Sequence, residues 1–183
     1  LYPQSIWAPR ASLMSAYSYY YFDSYSQAIQ EIDGYLKKYP NHQNKDYAFY
    51  LKSVSYYNQI SNEKKDLGPI VEAKKNFEYI INNYPESEFA TDSEYKLELI
   101  NEILASKEMY IARFYMEKEK WIPSINRFKK VVKDYDKSIY VEEALFRLVE
   151  IHYRIGLEDE AKKYAHLLGY NYQSSQWYEN SYR

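Results

Sequence analysis

The sequence predicts an all-α protein, an α-solenoid of antiparallel helix pairs in which one long helix links the N- and C-terminal halves. Three observations lead to this prediction. The 183 residues include only 4 Gly and 6 Pro, so turns are few and the elements between them are long. Apolar residues recur at helical spacing along most of the chain. A short phrase also recurs, which indicates an internal repeat.

The recurring phrase begins with tyrosine and stands at five places. It reads Tyr-Pro-Gln-Ser, Tyr-Pro-Asn-His, Tyr-Pro-Glu-Ser, Tyr-Asp-Lys-Ser and Tyr-Gln-Ser-Ser, at positions 2–5, 39–42, 84–87, 135–138 and 172–175. Twelve residues before the second member of each of the last four stands a small residue: Ala28, Ala73, Ser124 and Ala161. Apolar residues follow four and seven positions after each small one. This spacing matches the second helix of a tetratricopeptide repeat, where a small residue lets two helices approach.

The phrase also divides the chain. Residues 1–5 are predicted to end a truncated first repeat, since the chain begins at Leu1 rather than Met. Further repeats are predicted at 6–44, 45–88, 89–138 and 139–175, and the start of a C-terminal helix at 176–183.

The small residues are unevenly spaced, at intervals of 45, 51 and 37 residues against the ~34 of a regular unit. A polar loop at 61–68, before a helix that starts near Pro69, accounts for the first excess. The second excess has no such loop, because the stretch 86–122 lacks Gly and Pro and keeps helical spacing. We therefore predict one long helix of about 25 to 30 residues there. Thr91 and Glu94 form the predicted capping box near its start.

The last predicted helix pair is divided at Gly156. Apolar residues at helical spacing come before this glycine, which is a typical helix stop. Glu158, Asp159 and Glu160 come after it, where the dipole of a new helix favours acidic side chains. We expect one helix to end at Gly156 and the next to begin just beyond it.

Charge and composition exclude several classes of protein. The 24 basic and 26 acidic side chains give a net charge of −2, which argues against nucleic-acid binding. Mean hydropathy is −0.72, and no long apolar run predicts a membrane-spanning helix. The absence of Cys excludes disulfides, thiolate metal sites and a cysteine nucleophile.

No pattern of catalytic residues is present. His42, His152 and His166 lie far apart, and neither a metal-binding histidine motif, a phosphate-binding glycine loop nor a nucleophile elbow occurs. His152 occupies a packing position, so we expect it in the core. The sequence therefore predicts a non-enzymatic protein with no cofactor and no metal.

Two groups of residues are candidates for binding. Arg127, Lys130 and Lys133 share the polar side of the helix after Trp121. They form either a cationic patch for a carboxylate on a partner or a solvated helix face. The second group is aromatic. The chain has 25 tyrosines, four of them in the aromatic run at 17–22, which is more than a core needs. We therefore expect the tyrosines to divide between the core and a peptide-binding surface.

Several phrases, in the same order along the chain, resemble the BamD (ComL) family of lipoproteins of the outer-membrane β-barrel assembly machine. They include Met-Ser-Ala-Tyr at 14–17, Asp-Tyr-Ala-Phe-Tyr-Leu-Lys at 46–52, Tyr-Pro-Glu-Ser-Glu-Phe-Ala-Thr-Asp at 84–92, Ile-Asn-Arg-Phe at 125–128 and Glu-Ala-Leu-Phe-Arg-Leu-Val-Glu at 143–150. The tail, Leu-Gly-Tyr-Asn-Tyr at 168–172 with Trp-Tyr at 177–178, is the most specific. Tetratricopeptide proteins in general have no reason to share it.

The resemblance implies a lipid-anchored scaffold on the periplasmic face of the outer membrane, with its lipidated Cys upstream of Leu1. Its C-terminal repeats would dock on the POTRA domains of BamA, and its N-terminal repeats would receive the C-terminal signal of unfolded barrel proteins. Other lipoproteins of the machine would be further partners, and nucleic acid would not.

The resemblance also implies site residues. Trp121, Asn126 and Arg127 match the family motif Trp-x-x-x-x-Asn-Arg, whose Arg lies at or near the BamA contact, and Lys130 joins them as an expected docking residue. Tyr2 matches the end of the family's first repeat, in the region linked to substrate binding. Tyr17 and Tyr20, in the aromatic run, are the other expected substrate-peptide residues.

Other functions stay open at this point. Another periplasmic tetratricopeptide interaction protein, of envelope maintenance or division, is the main alternative, and the absence of a lipidated Cys upstream would favour it. A targeting domain of an enzyme would be indicated by catalytic sequence beyond Arg183. A cytosolic co-chaperone would need a carboxylate clamp of basic and Asn residues, which the sequence does not provide.

Overall fold

Helices make up the regular structure of the part of the chain that the structure describes. The computed structural model describes residues 5–60 and 67–181, and these contain nine helices and no strand, so the all-α prediction is confirmed. The helices are α1 Ala8–Tyr21, α2 Tyr25–Lys38, α3 Lys45–Tyr57, α4 Gly68–Asn83, α5 Glu88–Glu117, α6 Trp121–Asp134, α7 Val141–Arg154, α8 Glu158–Asn171 and α9 Gln176–Ser181.

The long helix is α5. It has 30 residues, at the upper end of the predicted length. The chain divides into two units, Leu1–Ile100 and Asn101–Arg183, and α5 begins in the first and ends in the second. Its start differs from the prediction: Thr91 and Glu94 lie inside the helix, and Ser87 caps it instead. Of the predicted loop 61–68, residues 61–66 lie outside the described part, and α4 begins at Gly68, beside the expected Pro69.

In the first unit, α1 packs on α2, α2 on α3, and α3 on α4. The small residues predicted for the helix seams, Ala28 and Ala73, are fully buried. So are the apolar residues that follow them at helical spacing: Ile32, Tyr35, Phe77 and Ile80. The predicted spacing therefore identifies the core of this unit.

In the second unit, α7 packs on α6, α8 and α9. Ser124, the third seam residue, is fully buried on α6, and its hydroxyl donates to the carbonyl oxygen of Ala112 on α5 at 2.9 Å. This bond satisfies a buried hydroxyl that would otherwise cost stability. Ala161 and Leu168 on α8 are also fully buried, and Trp177 and Tyr178 of α9 pack against the core cluster that contains Leu168.

The last residue of each recurring phrase bonds to the backbone at the start of the helix that follows, and Ser87 and Ser175 are the N-caps of their helices. The side chain of this last residue accepts a hydrogen bond from the backbone N–H two residues further on, at 3.2–3.3 Å, at Ser5, His42, Ser87, Ser138 and Ser175. Three of the serines also donate to a carboxylate on an earlier helix: Ser87 to Asp46 at 2.7 Å, Ser138 to Glu102 at 2.8 Å and Ser175 to Glu142 at 2.5 Å. At His42 no carboxylate of the described residues takes this place, and the hydroxyl of Tyr35 is hydrogen-bonded to Nδ1 at 2.7 Å. The phrase is thus a joint between helix pairs.

Three hairpin turns share a left-handed residue. Asp23, Glu119 and Gly156 each stand two residues after the end of a helix, with φ of 57°, 55° and 80°. Glycine adopts this conformation without strain, whereas Asp23 and Glu119 pay a steric cost there. The chain therefore turns at Gly156, as the sequence predicts: α7 ends at Arg154, two residues before it, and α8 begins at Glu158.

Candidate partner-binding site

Arg127 and Lys130 on α6 are both held by one carboxylate of α5. Arg127 Nη1 donates to Glu108 Oε2 at 2.9 Å, and Lys130 Nζ donates to Glu108 Oε1 at 2.6 Å. The two cations lie on one helix face because they are three residues apart. Glu108 is 8% exposed, whereas the side chains of Arg127 and Lys130 are 40% and 42% exposed. The result is a basic surface above a buried anion.

The protonation of this cluster follows from its contacts. Burial raises the pKa of Glu108, but the hydrogen bonds and charges of Lys130 and Arg127 outweigh burial and bring its pKa below the ordinary value. The hydrogen bond to Glu108 raises the pKa of Lys130. Glu108 is therefore ionised and Lys130 is protonated at neutral pH, and with Arg127 the cluster carries a net charge of about +1.

A shallow groove adjoins this cluster. It is lined by Tyr115, Ile122, Pro123, Asn126, Arg127 and Lys130. Ile122 is 64% exposed, and Pro123 is exposed beside it. Pro123 lies in the first turn of α6, where the helix needs no backbone N–H, so proline is tolerated there. The groove therefore joins an apolar edge to two cations. Three of the four expected docking residues, Asn126, Arg127 and Lys130, line it.

Trp121, the fourth expected docking residue, has a different environment. It is the first residue of α6 and is partly buried. The guanidinium of Arg154, on α7, lies 5.5 Å from its ring centre, within the range of a cation–π contact. Trp121 therefore packs against α7 at the beginning of α6 and does not line the groove.

A row of charges on α7 was not anticipated from the sequence. Arg113 of α5 makes a two-point contact with Glu143, through Nε at 2.9 Å and Nη2 at 2.5 Å. Arg147 lies next along the helix, between Glu143 and Glu150, and Glu150 also contacts Arg154. The i,i+4 and i,i+3 spacing of these residues is the signal that would have predicted the row.

The expected substrate-peptide residues lie in the first unit, apart from Tyr2, which falls outside the described residues. Tyr17 is 41% exposed, and its ring lies 6.4 Å from those of Tyr20 and Tyr21. The Tyr20 hydroxyl accepts a hydrogen bond from Asn58, the residue just after α3, at 3.1 Å. Exposed side chains of α1 and of the residues that flank it extend this surface: Trp7, Met14, Tyr21 and Phe22. The aromatic excess of the sequence is thus partly a surface feature.

The remaining predictions concern a core histidine, metal sites and membrane-spanning helices. His152 is buried, with Nδ1 2.6 Å from the carbonyl oxygen of Leu148, so it is a core histidine as expected. Within 5–60 and 67–181, no group of three or more His, Asp or Glu side chains is arranged to hold a metal ion. None of the helices in those ranges is long and apolar enough to cross a membrane.

Comparison with known proteins supplies the final observation. Residues 1–167 match the family model YfiO, described as an outer membrane lipoprotein. Proteins named outer membrane protein assembly factor BamD are 41% identical in Rickettsia prowazekii and 37% identical in Caulobacter vibrioides, each over 182 residues and all of this chain. The chain spans 72% of the length of the first and 60% of the second.

More distant relatives agree with this match. The BamD of Neisseria meningitidis serogroup B is 31% identical over 163 residues, which is 84% of this chain and 61% of that protein. Among solved structures, PilW, a widely conserved type IV pilus biogenesis factor, is 16% identical with a TM-score of 0.38, covering 98% of this chain and 100% of its own. A likeness at that score supports no conclusion.

Proposed function

Because the chain belongs to the YfiO/BamD family, we propose that it takes part in outer-membrane protein assembly as a non-enzymatic scaffold in the periplasm. The scaffold has two roles, one in each unit. The second unit docks on the POTRA domains of BamA, and the first receives the C-terminal signal of unfolded barrel proteins. The relatives' printed name supports the assembly role. The groove beside Arg127 and the aromatic surface of α1 support the assignment of one role to each unit.

The observation that carries the docking role is the groove beside Arg127. Its two cations suit a carboxylate of the partner, and Arg127 offers a planar guanidinium that binds a carboxylate through two N–H groups. Asn126 adds an amide to the same rim, and exposed Ile122 adds an apolar contact. Trp121 supports the site from behind, by fixing the start of α6 against Arg154.

The docking role is tested by substituting Arg127 and measuring binding to purified POTRA domains of BamA. Arg127→Ala and Arg127→Glu are both expected to weaken binding. Arg127→Glu also places a second carboxylate beside Glu108, so the alanine variant separates lost docking from lost stability. Circular dichroism during heating checks that the variants are folded.

Arg10→Glu is the matched control for the docking experiment, since Arg10 is exposed on α1 in the other unit. It makes the same change of charge away from the groove and is expected to leave POTRA binding unchanged. Unchanged binding of folded Arg127→Ala would refute the docking assignment.

The substrate role rests on the aromatic surface of α1. Tyr17 and Tyr20 offer rings and hydroxyl groups to an extended peptide that ends in an aromatic residue, and Tyr2 is proposed as a third contact. Binding through backbone hydrogen bonds and aromatic contacts would be weak and reversible, as a transfer step requires.

Fluorescence anisotropy of a labelled C-terminal peptide from an outer-membrane barrel protein tests the substrate role. Tyr17→Ala is expected to weaken peptide binding. Tyr170→Ala is the control, because Tyr170 is 84% exposed on α8 in the other unit. Equal effects of the two variants would contradict a specific surface on α1.

The proposed location is the periplasmic face of the outer membrane, with attachment through a lipid on an N-terminal Cys upstream of Leu1. The description of the matched family as outer membrane lipoproteins supports this location. Other lipoproteins of the machine are proposed as neighbours there. Labelling of the full-length protein with radioactive palmitate, followed by membrane fractionation, tests the anchor; recovery without label in the periplasmic fraction would contradict it.

A further inference from the structure

We propose that Glu108 is a positioning residue of the docking surface, which holds Arg127 and Lys130 as a preassembled pair that accepts one carboxylate from the partner. This inference rests on the proposed docking of Arg127 and adds to it a residue that does not touch the partner. It also defines the ligand chemistry, a single carboxylate next to an apolar side chain.

The geometry divides Glu108 evenly between the two cations. Oε2 takes Arg127 Nη1 and Oε1 takes Lys130 Nζ, so neither oxygen is shared. Glu108 is on α5 and is buried, while the cations are on α6 and are partly exposed. Long basic side chains lose considerable conformational freedom when they bind a partner. Here a fixed carboxylate restricts that freedom before the partner arrives.

The charge count sets how many carboxylates the surface accepts. Two cations and one carboxylate leave one positive charge, and one partner carboxylate balances it. Among the described residues, the hydrogen bond of Arg127 to protein uses Nη1 alone. A guanidinium has five N–H donors, so several of them stay available for a second carboxylate. Ile122 and Pro123 line the same groove and provide its apolar contact.

A substitution at Glu108 distinguishes positioning from simple charge attraction, because the two predict opposite changes in the affinity for the partner. Glu108→Gln removes a negative charge and raises the net charge of the cluster from about +1 to about +2. Attraction to an acidic partner would then become stronger. If Glu108 positions the two cations, binding becomes weaker in spite of the added charge, by about tenfold.

The experiment measures the dissociation constant of the full chain with purified BamA POTRA domains, by calorimetry at two salt concentrations. For Glu108→Gln we expect about tenfold weaker binding together with a steeper loss of affinity in salt, because the free cations carry more net charge. The added charge alone steepens the salt dependence, so the readout that identifies positioning is the loss of affinity in spite of that charge.

Two further variants complete the design. Glu117→Gln, at the exposed end of the same helix, makes the same charge change without removing a contact to Arg127 or Lys130, and is expected to bind as tightly as the unmodified chain or slightly tighter. Glu108→Asp keeps the charge but is one methylene too short to hold both cations, so weaker binding is expected here as well. It carries the test if Glu108→Gln does not fold.

The outcomes for docking and for positioning are distinguishable. Unchanged binding of Arg127→Ala overturns the docking site itself, and the positioning role with it. Weakened binding of Arg127→Ala, with equal or tighter binding of the Glu108 variants, overturns the positioning role alone. Weakened binding of Arg127→Ala and of both Glu108 variants supports both.

Discussion

The hydroxyl of Ser175, which begins the approach to the last helix, donates a hydrogen bond to the carboxylate of Glu142, 33 positions earlier, at 2.5 Å. The same side chain accepts a bond from the N–H of Trp177 at 3.2 Å. A single residue therefore caps α9 and fastens it to the first turn of α7. This double role makes the stability of the joint measurable by one small substitution.

Ser175→Ala is expected to lower the free energy of unfolding by about 2 kcal/mol, because it removes a helix cap and leaves a carboxylate without its donor. Ser174→Ala, one residue earlier and exposed, is the matched control and is expected to change stability by less than about 0.5 kcal/mol. Urea unfolding followed by circular dichroism measures both. Equal effects would contradict the role of the cap.

Substitution by alanine is expected to raise the free energy of unfolding at Gly34 and to lower it at Gly169. A Cβ at Gly34, inside α2, meets nothing within 4 Å, so Gly34→Ala gains helix propensity and stabilises by about 1 kcal/mol. A Cβ at Gly169, in α8, would lie 2.5 Å from Cε2 of Tyr178. Gly169→Ala therefore displaces the Tyr178 ring at a cost of about 1–3 kcal/mol, which the gain in helix propensity of about 1 kcal/mol only partly offsets, so we expect lower stability.

Near-ultraviolet circular dichroism gives an independent check on Gly169→Ala. Trp177 stacks near Phe146, with ring centres 5.3 Å apart, so displacement of α9 is expected to reduce the tryptophan signal. Gly34→Ala should leave this signal intact. A gain of stability in both variants would show that Gly169 is not needed for the close approach of α9.

Glu119→Gly is expected to stabilise the chain, since Glu119 has φ of 55° in the turn between α5 and α6. The relief of left-handed strain, about 1–2 kcal/mol, exceeds the entropy cost of glycine, and the expected net gain is about 0.5–1 kcal/mol. Glu94→Gly, at an exposed position inside α5, is the control and should cost about 1 kcal/mol. Thermal melts distinguish the two, and a loss at both positions would contradict the prediction.

Acid is expected to remove the stabilising contribution of Glu108. Its pKa is below the ordinary value of 4.5 in the folded protein, despite burial, because Lys130 and Arg127 favour the ionised form. A lowered pKa stabilises the folded state above the unfolded-state pKa, and this contribution is lost as pH falls through the folded-state pKa. The stability difference between the unmodified chain and Glu108→Gln should therefore be constant from pH 7 to about pH 5.5 and shrink below 4.5. Urea titrations at several pH values measure it, and a difference independent of pH would contradict the ion-pair role.

Local patterns in the sequence predicted most of the fold. Apolar spacing around Ala28 and Ala73 identified buried faces, and the lack of Gly and Pro across 86–122 predicted α5. The capping box at Thr91 and Glu94 was wrong because the motif also fits the interior of a helix, and Ser87 already supplied a cap. A local motif does not reveal which of two neighbouring caps the backbone uses.

The arrangement of the proposed docking surface was only half predictable. Arg127 and Lys130 share a helix face, which spacing alone reveals, but Glu108 lies 19 and 22 positions away on another helix. Its partnership with them depends on how α5 and α6 pack, and no short motif encodes that packing. Trp121, which the family motif also marks as a docking residue, contacts Arg154 of α7, and spacing alone did not indicate that contact.

The bond between Ser175 and Glu142 defines the segment that could be exchanged between relatives. That segment is not the helix pair alone, because it must also include the residue that follows the pair and bonds back to it. His42 and Pro9 are also 33 positions apart, and there both members differ: Pro9 offers no carboxylate, and His42 bonds to Tyr35 instead. Glu142 and Ser175 share one hydrogen bond, so we expect the residues at these two positions to covary. A chimaera that exchanges residues 142–175 as one block keeps both halves of the bond, whereas one cut at the helix ends would separate them.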